Sequence, residues 1–125
     1  MKVFDIVVAQ KKFAQEHPDI VTKFLKVVDD STRYYRKNLE ESHKLIGGIA
    51  GISPEKTADI MGKMQFFTKD EQVSSKWMGT KEKPGELVDF IKSIAEFSVE
   101  EKAMDKALED YSSTVDPSYY QAVKD

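Results

Sequence analysis

The stretch that decides the fold of this 125-residue chain is residues 18–35, PDIVTKFLKVVDDSTRYY. Pro18 suits the first position of a helix, because its missing N–H would be unpaired there in any case. The positions of one stripe then recur every three or four residues, the spacing of a single face of an α-helix. They are Ile20, Val21, Phe24, Val27, Val28, Ser31, Tyr34 and Tyr35. The pattern predicts an amphipathic helix about four turns long.

Further helix-start signals follow this stretch toward the C-terminus. Capping-box patterns occur at residues 38–41, 68–71 and 98–101, each with a glutamate three residues after Asn, Thr or Ser. Ser53-Pro54 and Asp116-Pro117 are typical helix openings. Residues 87–97 also carry a helical apolar face, and residues 98–101 are expected to restart that helix. We therefore predict five helices after the first stretch: four that open at residues 38, 53, 68 and 116, and the one over residues 87–97.

Loop signals divide these predicted helices. The helix after residue 68 is predicted to end around Trp77, and residues 79–85, GTKEKPG, form a loop that breaks both periodicities. No repeat or domain linker is present in the sequence. We expect one mainly α domain over residues 1–125, a multi-helix unit with one N-terminal β-strand at residues 3–9 and helix over residues 10–125.

The predicted strand, VFDIVVA, is rich in β-branched and aromatic residues. A lone strand cannot satisfy its own backbone groups, so another copy or another polypeptide must pair with it. Asp5 interrupts the apolar run, and burying its charge without a partner would be costly. Either the face of the strand that carries Asp5 is exposed to solvent, or the site offers a cation to its carboxylate.

Composition excludes several classes of function. The chain has a net charge of −3 and no cysteine, with 40% hydrophobic and 33% charged residues. It lacks the basic excess that meets nucleic-acid phosphates, and it lacks thiols for disulfides or zinc. No apolar run is long enough to span a bilayer, and Asp5 falls where a signal peptide would have its apolar core. We expect no nucleic-acid partner, no export signal and no membrane anchor in the chain as written.

Residue patterns for catalysis and metal binding are absent from the sequence. His17 and His43 lack the spacing of metal ligands. We expect a capping or surface role for His17 and solvent exposure for His43. The acidic doublets, such as Asp29-Asp30, point about 100° apart on a helix and are predicted to be solvated. We therefore expect no enzyme activity, no metal and no cofactor.

The order of motifs along the whole chain resembles a known family. Residues 4–21, FDIVVAQKKFAQEHPDIV, run directly into the long helix, and further segments follow in order: YRKN at 35–38, GISPE at 51–55, FFTKDEQ at 66–72, IAEF at 94–97, DYS at 110–112 and VDPSY at 115–119. This series resembles the C-terminal part of the taurine, aliphatic-sulfonate and nitrate type of ABC-transporter solute-binding protein. The taurine-binding members are the most similar, and the match extends from residue 3 to about residue 123.

The resemblance implies a fold, a site and a partner. Members of this family have two α/β lobes joined by two crossing strands, with the ligand in the cleft between them, and they deliver it to a membrane permease. Residues 3–9 match the second crossing strand, so Asp5 falls on the hinge aspartate that faces the ammonium group of taurine. Phe67 and Thr68 match another segment near the cleft. The resemblance implies a periplasmic protein, whereas the missing signal peptide implies that the chain as expressed is cytoplasmic.

The chain departs from the family because everything before the second crossing strand is missing, including most of the sulfonate contacts. We expect a fragment or remnant of a receptor for taurine or related sulfonates that is not a competent receptor alone. The alternative is a stand-alone, self-associating helical module that binds an unknown partner. In that case we expect a homo-oligomer formed through the N-terminal strand or through exposed helix faces.

Overall fold

A computed structural model describes residues 4–124 of the chain, and this part is mainly helical. The α-helices are α1 (Lys11–Glu16), α2 (Pro18–Lys37), α3 (Leu39–Ala50), α4 (Pro54–Met61), α5 (Lys69–Gln72), α6 (Glu86–Glu100) and α7 (Ser118–Gln121). A short 3₁₀ helix occupies Ser112–Thr114. Helix over all of residues 10–125 was too broad an expectation, because residues 62–68, 73–85 and 101–117 are not helical apart from that 3₁₀ turn.

The N-terminal strand predicted at residues 3–9 does not form within the described part of the chain. Val3 lies outside the described residues, and residues 4–10 have no regular secondary structure. The physical reason is the missing partner: the β-bridge that occurs among residues 4–124 is an isolated one between Gly79 and Pro84. A strand without a neighbour has no ladder for its backbone groups. Ile6, Val7 and Val8 are consequently 67%, 70% and 81% exposed.

The long helix α2 begins at Pro18, as predicted, and runs to Lys37. The capping box predicted at residues 38–41 is wrong in its chemistry, because the Asn38 side chain makes no bond to the start of α3. Instead its Nδ2 donates to the Tyr34 carbonyl at 2.9 Å and closes the end of α2. An asparagine between two helices can bond either one, and here it bonds the preceding helix.

Helices α3 and α4 contact each other more extensively than any other two helices of residues 4–124. Gly51 ends α3 in the left-handed conformation, and the Ser53 hydroxyl accepts a bond from the Lys56 N–H at the start of α4. Gly47 makes the close approach of the two helices sterically feasible. A Cβ there would lie 2.7 Å from the Thr57 hydroxyl oxygen and 2.8 Å from a backbone oxygen, closer than packed atoms tolerate.

Helix α5 starts after Thr68, as predicted, but it ends at Gln72 and not around Trp77. The chain tightens into turns there: the Ser74 N–H and hydroxyl both bond the Glu71 carbonyl, at 3.1 and 2.6 Å. These bonds satisfy the helix end by an i→i−3 pattern, which stops α-helical propagation.

Helix α6 covers the predicted apolar face, but it does not restart at residues 98–101. The Ser98 hydroxyl donates to the Ile94 carbonyl at 2.8 Å, so it is used inside α6 and cannot cap a new helix. The chain then reverses at Lys102, which has a φ of 58°. Helix α7 opens at the predicted place, where the Asp116 carboxylate accepts the Ser118 N–H at 3.0 Å.

The apolar core of the described residues is small. Its buried members are Ala14, Ala95, Tyr111 and Val123. The chain exposes 9516 Å², about 1.4 times the roughly 6,800 Å² expected for a compact monomer of 14.3 kDa. Helix α6 makes only sparse contacts with the other helices, and its Ile94 and Phe97 are 48% and 61% exposed. Large apolar faces therefore remain uncovered.

Candidate functional site

An aromatic cluster joins the N-terminal segment to α6 and to the two loops that flank α5. The ring centroids of Phe4 and Phe90 are 4.6 Å apart, those of Phe67 and Trp77 are 4.4 Å apart, and Phe4 meets Trp77 at 5.6 Å. Tilted and edge-on rings at these distances attract one another. The cluster anchors the otherwise irregular N-terminal segment and places Phe67, a residue singled out from the sequence, against Trp77.

Asp5 follows Phe4 directly and is exposed. It forms no ion pair with any side chain of residues 4–124. Of the two alternatives that its position in an apolar run left open, solvent exposure is the one observed in this chain. An exposed carboxylate can meet an ammonium group, but such a pair contributes only about 1 kcal/mol or less in water.

Thr68 is buried and lies directly before α5. Its backbone N–H donates to a Glu71 carboxylate oxygen at 2.7 Å, and its hydroxyl donates to the same oxygen at 3.1 Å. The predicted capping box at residues 68–71 is thus present. The Thr68 side chain is committed to this helix start, and Phe67 rather than Thr68 is the member of the pair that contacts the aromatic cluster.

A shallow groove of about 360 Å³ lies beside Phe67. Arg36 of α2 crosses it and binds the Glu71 carboxylate with two bonds, at 2.8 and 3.1 Å, and it also donates to the Phe66 carbonyl. The hydrogen bond from Arg36, together with the Thr68 N–H, lowers the pKa of Glu71. Because the guanidinium and the carboxylate neutralise each other, the groove offers no free cation to a sulfonate.

The most buried charge of the described residues is Asp29, which the sequence pattern had placed on a solvated face. Its Oδ2 accepts a bond from Arg33 Nε at 2.8 Å, and its Oδ1 accepts the Lys69 N–H at 2.6 Å. Arg33 continues to Asp70 at 2.9 Å. Burial acts to raise the pKa of Asp29, but the bonds from Arg33 and Lys69 and their charges outweigh it, so the pKa is lowered.

The hydrogen bonds around Asp29 and Lys69 extend to the C-terminal segment that follows α7. Lys69 Nζ donates to the Val123 carbonyl at 3.1 Å. Burial and the nearby Asp29 charge raise the pKa of Tyr120. Helices α2 and α5 and the segment directly after α7 are thus joined through charged hydrogen bonds. We call Asp29, Arg33, Arg36, Asp70 and Glu71 the polar lock.

The polar lock was missed at the level of sequence, although a signal for it exists. Asp29, Thr32, Arg33 and Arg36 recur at intervals of three and four along α2, which marks a second, polar stripe. By contrast, the other half of the acidic doublet, Asp30, is exposed and paired with Lys26 at 2.9 Å. Two adjacent aspartates therefore have opposite environments.

Among residues 4–124, His, Asp and Glu side chains form no group of three that could hold a metal ion. None of the helices described there is long and apolar enough to cross a membrane. The chain matches no protein-family model, no curated protein and no solved structure.

Proposed function

We propose that this chain is the helical C-terminal module of an ABC-transporter solute-binding protein for taurine or a related sulfonate. The observation that carries the proposal is the exposure of Ile6, Val7 and Val8 directly after Asp5, with no strand beside them in the described residues. An apolar segment of this kind is what a crossing strand becomes when its sheet is absent. The proposal assigns the chain a binding role and no catalysis.

The exposed face of α6 is a second support for the proposal. A helix that covers a sheet needs an apolar stripe. Ile94 and Phe97 of α6 stay about half exposed, because α6 makes only sparse contacts with the other helices of residues 4–124. The aromatic cluster holds the end of the N-terminal segment against the start of this helix. In this proposal a sheet built on residues 3–9 would cover both surfaces, so a single lobe would account for the two uncovered regions.

In this proposal Asp5, Phe67 and Thr68 contribute to the ligand site as one half of a cleft. Asp5 would face the ammonium group of the ligand, and Phe67 would form an apolar wall, while Thr68 would act through the backbone that it positions. The sulfonate would be held by the other half. A membrane permease as the partner, and the periplasm as the location, belong to the same proposal.

The proposal is tested by titrating taurine into two proteins by calorimetry. The first is the 125-residue chain, for which we expect no measurable binding, because one exposed carboxylate offers little affinity. The second is the product of the full reading frame that contains Met1 and any sequence upstream of it. We expect this longer protein to bind taurine and its Asp5→Asn variant to bind at least about 10-fold more weakly.

The matched control is Asp105→Asn, which removes an exposed carboxylate in the irregular segment after α6 and should leave taurine binding unchanged. Micromolar binding by the 125-residue chain alone would contradict the half-cleft proposal. An upstream sequence that encodes no second lobe would contradict the receptor proposal as a whole.

The second candidate function is that of a self-associating helical module. The observation that favours it is the apolar stripe of α2, which is exposed along nearly the whole helix.

A further inference from the structure

The apolar stripe of α2 has the spacing of a coiled-coil seam. Ile20, Phe24, Val27, Ser31 and Tyr34 follow one another at steps of four, three, four and three residues. Alternation of three and four is the a/d pattern by which two helices pack knobs into holes. The four large side chains are 47%, 50%, 62% and 46% exposed. We call these five residues the α2 seam.

The α2 seam cannot be covered by rotating α2 within the chain. The polar lock holds the opposite side of the helix through Asp29, Arg33 and Arg36. Helices α1, α3 and α7 contact α2 and still leave the seam exposed. The surface that covers it therefore comes from another molecule or from a part of the protein outside residues 4–124.

Charges beside the seam indicate a second copy of the same helix. Lys23 and Asp30 occupy successive g positions of the heptad. Each forms an exposed pair along α2, with Asp19 and with Lys26, and their side chains are 81% and 56% exposed, so each can also reach a charge on a second copy. In an antiparallel pair the g positions of the two helices face each other. Setting Phe24 opposite Val27 of the second copy brings Lys23 within about two residues of Asp30 of that copy, twice over by symmetry.

The same charges disfavour the neighbouring registers. Sliding the pair by one heptad toward the C-terminus sets Asp30 against Asp30 of the second copy, and sliding it toward the N-terminus sets Lys23 against Lys23. Like charges in such positions are repulsive. In a parallel pair Lys23 would face Val28, so no ion pair would form. The antiparallel register centred between residues 25 and 26 is the one with two opposite-charge pairs.

We propose that two copies of this chain associate through the α2 seam as an antiparallel, two-fold symmetric pair, with Lys23 of each copy beside Asp30 of the other. The chain exposes enough surface to form such an interface. The chain exposes roughly 2,700 Å² more than a compact monomer of its mass, and a standard interface takes about 800 Å² per partner. A sheet on residues 3–9 and α6 could be accommodated in addition, so this inference goes beyond the receptor proposal and uses a different surface.

The first experiment measures the dimer dissociation constant of the 125-residue chain by sedimentation equilibrium over a wide concentration range. Phe24→Glu should weaken the dimer by about 100-fold or more, because each copy loses a buried ring and gains a charge in the interface. Ile49→Glu is the matched control. Ile49 of α3 is 91% exposed and lies off the seam, so the same change there should leave the dissociation constant unchanged.

Circular dichroism of each variant establishes that helix content is kept, which we expect because Phe24 is half exposed in a single chain. A wild-type chain that stays monomeric at every concentration would overturn the pairing, and so would an equal effect of Phe24→Glu and Ile49→Glu. Neither result bears on the taurine titration of the longer protein, so the two proposals can fail separately.

The second experiment tests the antiparallel register by charge exchange. Lys23→Glu and Asp30→Lys should each weaken the dimer about 5-fold, because they set like charges against each other. The double variant Lys23→Glu/Asp30→Lys should return to within about 2-fold of the wild type, since the opposite pairs are restored. The exchange Glu40→Lys/Lys44→Glu, at an exposed pair on α3, is the control. Additive weakening in the double variant would contradict this register.

Discussion

The two faces of α2 show opposite relations between polarity and burial. On the inner face Asp29 and Thr32 are 5% and 8% exposed, whereas on the outer face Phe24 and Val27 are 50% and 62% exposed. In a self-sufficient globule the apolar face is the one that is buried. The difference indicates that charged hydrogen bonds hold α2 within the described residues, and it leaves the apolar face open for the second copy that we propose.

Acidification should lower the free energy of unfolding more than any single substitution does, because it protonates the carboxylates of the polar lock. The pKa values of Asp29 and Glu71 are lowered from their ordinary values of 3.8 and 4.5. Groups with lowered pKa values contribute stability that is full above those ordinary values and is lost as the pH falls through the lowered ones. We expect the free energy of unfolding to be flat near neutral pH and to fall steeply below about pH 4, as measured by urea titrations at successive pH values. Stability that rises on acidification would contradict the polar lock.

Removing the buried carboxylate is the next largest perturbation. Asp29→Asn should lower the free energy of unfolding by about 2–3 kcal/mol, because it weakens charged bonds to Arg33 and to the start of α5. The neighbouring change Asp30→Asn loses only an exposed pair and should cost about 0.5 kcal/mol or less. Urea denaturation of both variants checks the contrast, and equal costs for the two aspartates would refute it.

A smaller effect is expected where the polar lock reaches the surface. Arg36→Lys keeps the charge but loses the two-bond contact with Glu71, because lysine cannot present a planar pair of donors. Since both side chains are partly exposed, we expect a loss of about 0.5–1 kcal/mol in thermal or urea unfolding. Lys26→Arg at another exposed pair provides the control and should change stability less.

A substitution on the outer face of α2 should change the free energy of unfolding least, and it should raise this free energy where the other substitutions lower it. Val27→Ala at low protein concentration should raise the free energy of unfolding by up to about 0.5 kcal/mol, because alanine favours helix more than valine and little burial is lost. At high concentration the same substitution should weaken association, because Val27 lies in the α2 seam. A loss of stability at low concentration would show that Val27 is buried within the single chain.

The parts of the fold that the sequence predicts are those with local causes. Pro18, Ser53 and Thr68 begin helices where their residue types indicate, and residues 86–100 form the expected helix. Asn38 and Ser98 fit the same local rule, but their side chains bond the preceding helix turn. A capping pattern in the sequence indicates a hydrogen-bonding side chain near a helix end. It does not determine whether that side chain bonds the end of the preceding helix or the start of the next one.

Features that depend on contacts between residues far apart in the chain could not be predicted from the sequence alone. The burial of Asp29 depends on the Lys69 N–H, 40 residues away, and the strand at residues 3–9 depends on backbone that residues 4–124 do not supply. For the candidate site, Asp5, Phe67 and Thr68 came from a family resemblance. The four rings of the aromatic cluster are Phe4, Phe67, Trp77 and Phe90. They belong to four different segments, so no periodic pattern in the sequence indicates that they meet.

The proposed pairing of the apolar face of α2 with a second copy is tested most directly by a distance between the two copies. The chain contains no cysteine, so Lys37→Cys at the end of α2 accepts a single spin label on each copy. Pulsed electron paramagnetic resonance should give a distance between labels of about 35 Å, the axial separation that the antiparallel register sets for residue 37. A separation near 10–15 Å, as in a parallel pair with adjacent helix axes, or no intermolecular distance at all would contradict it.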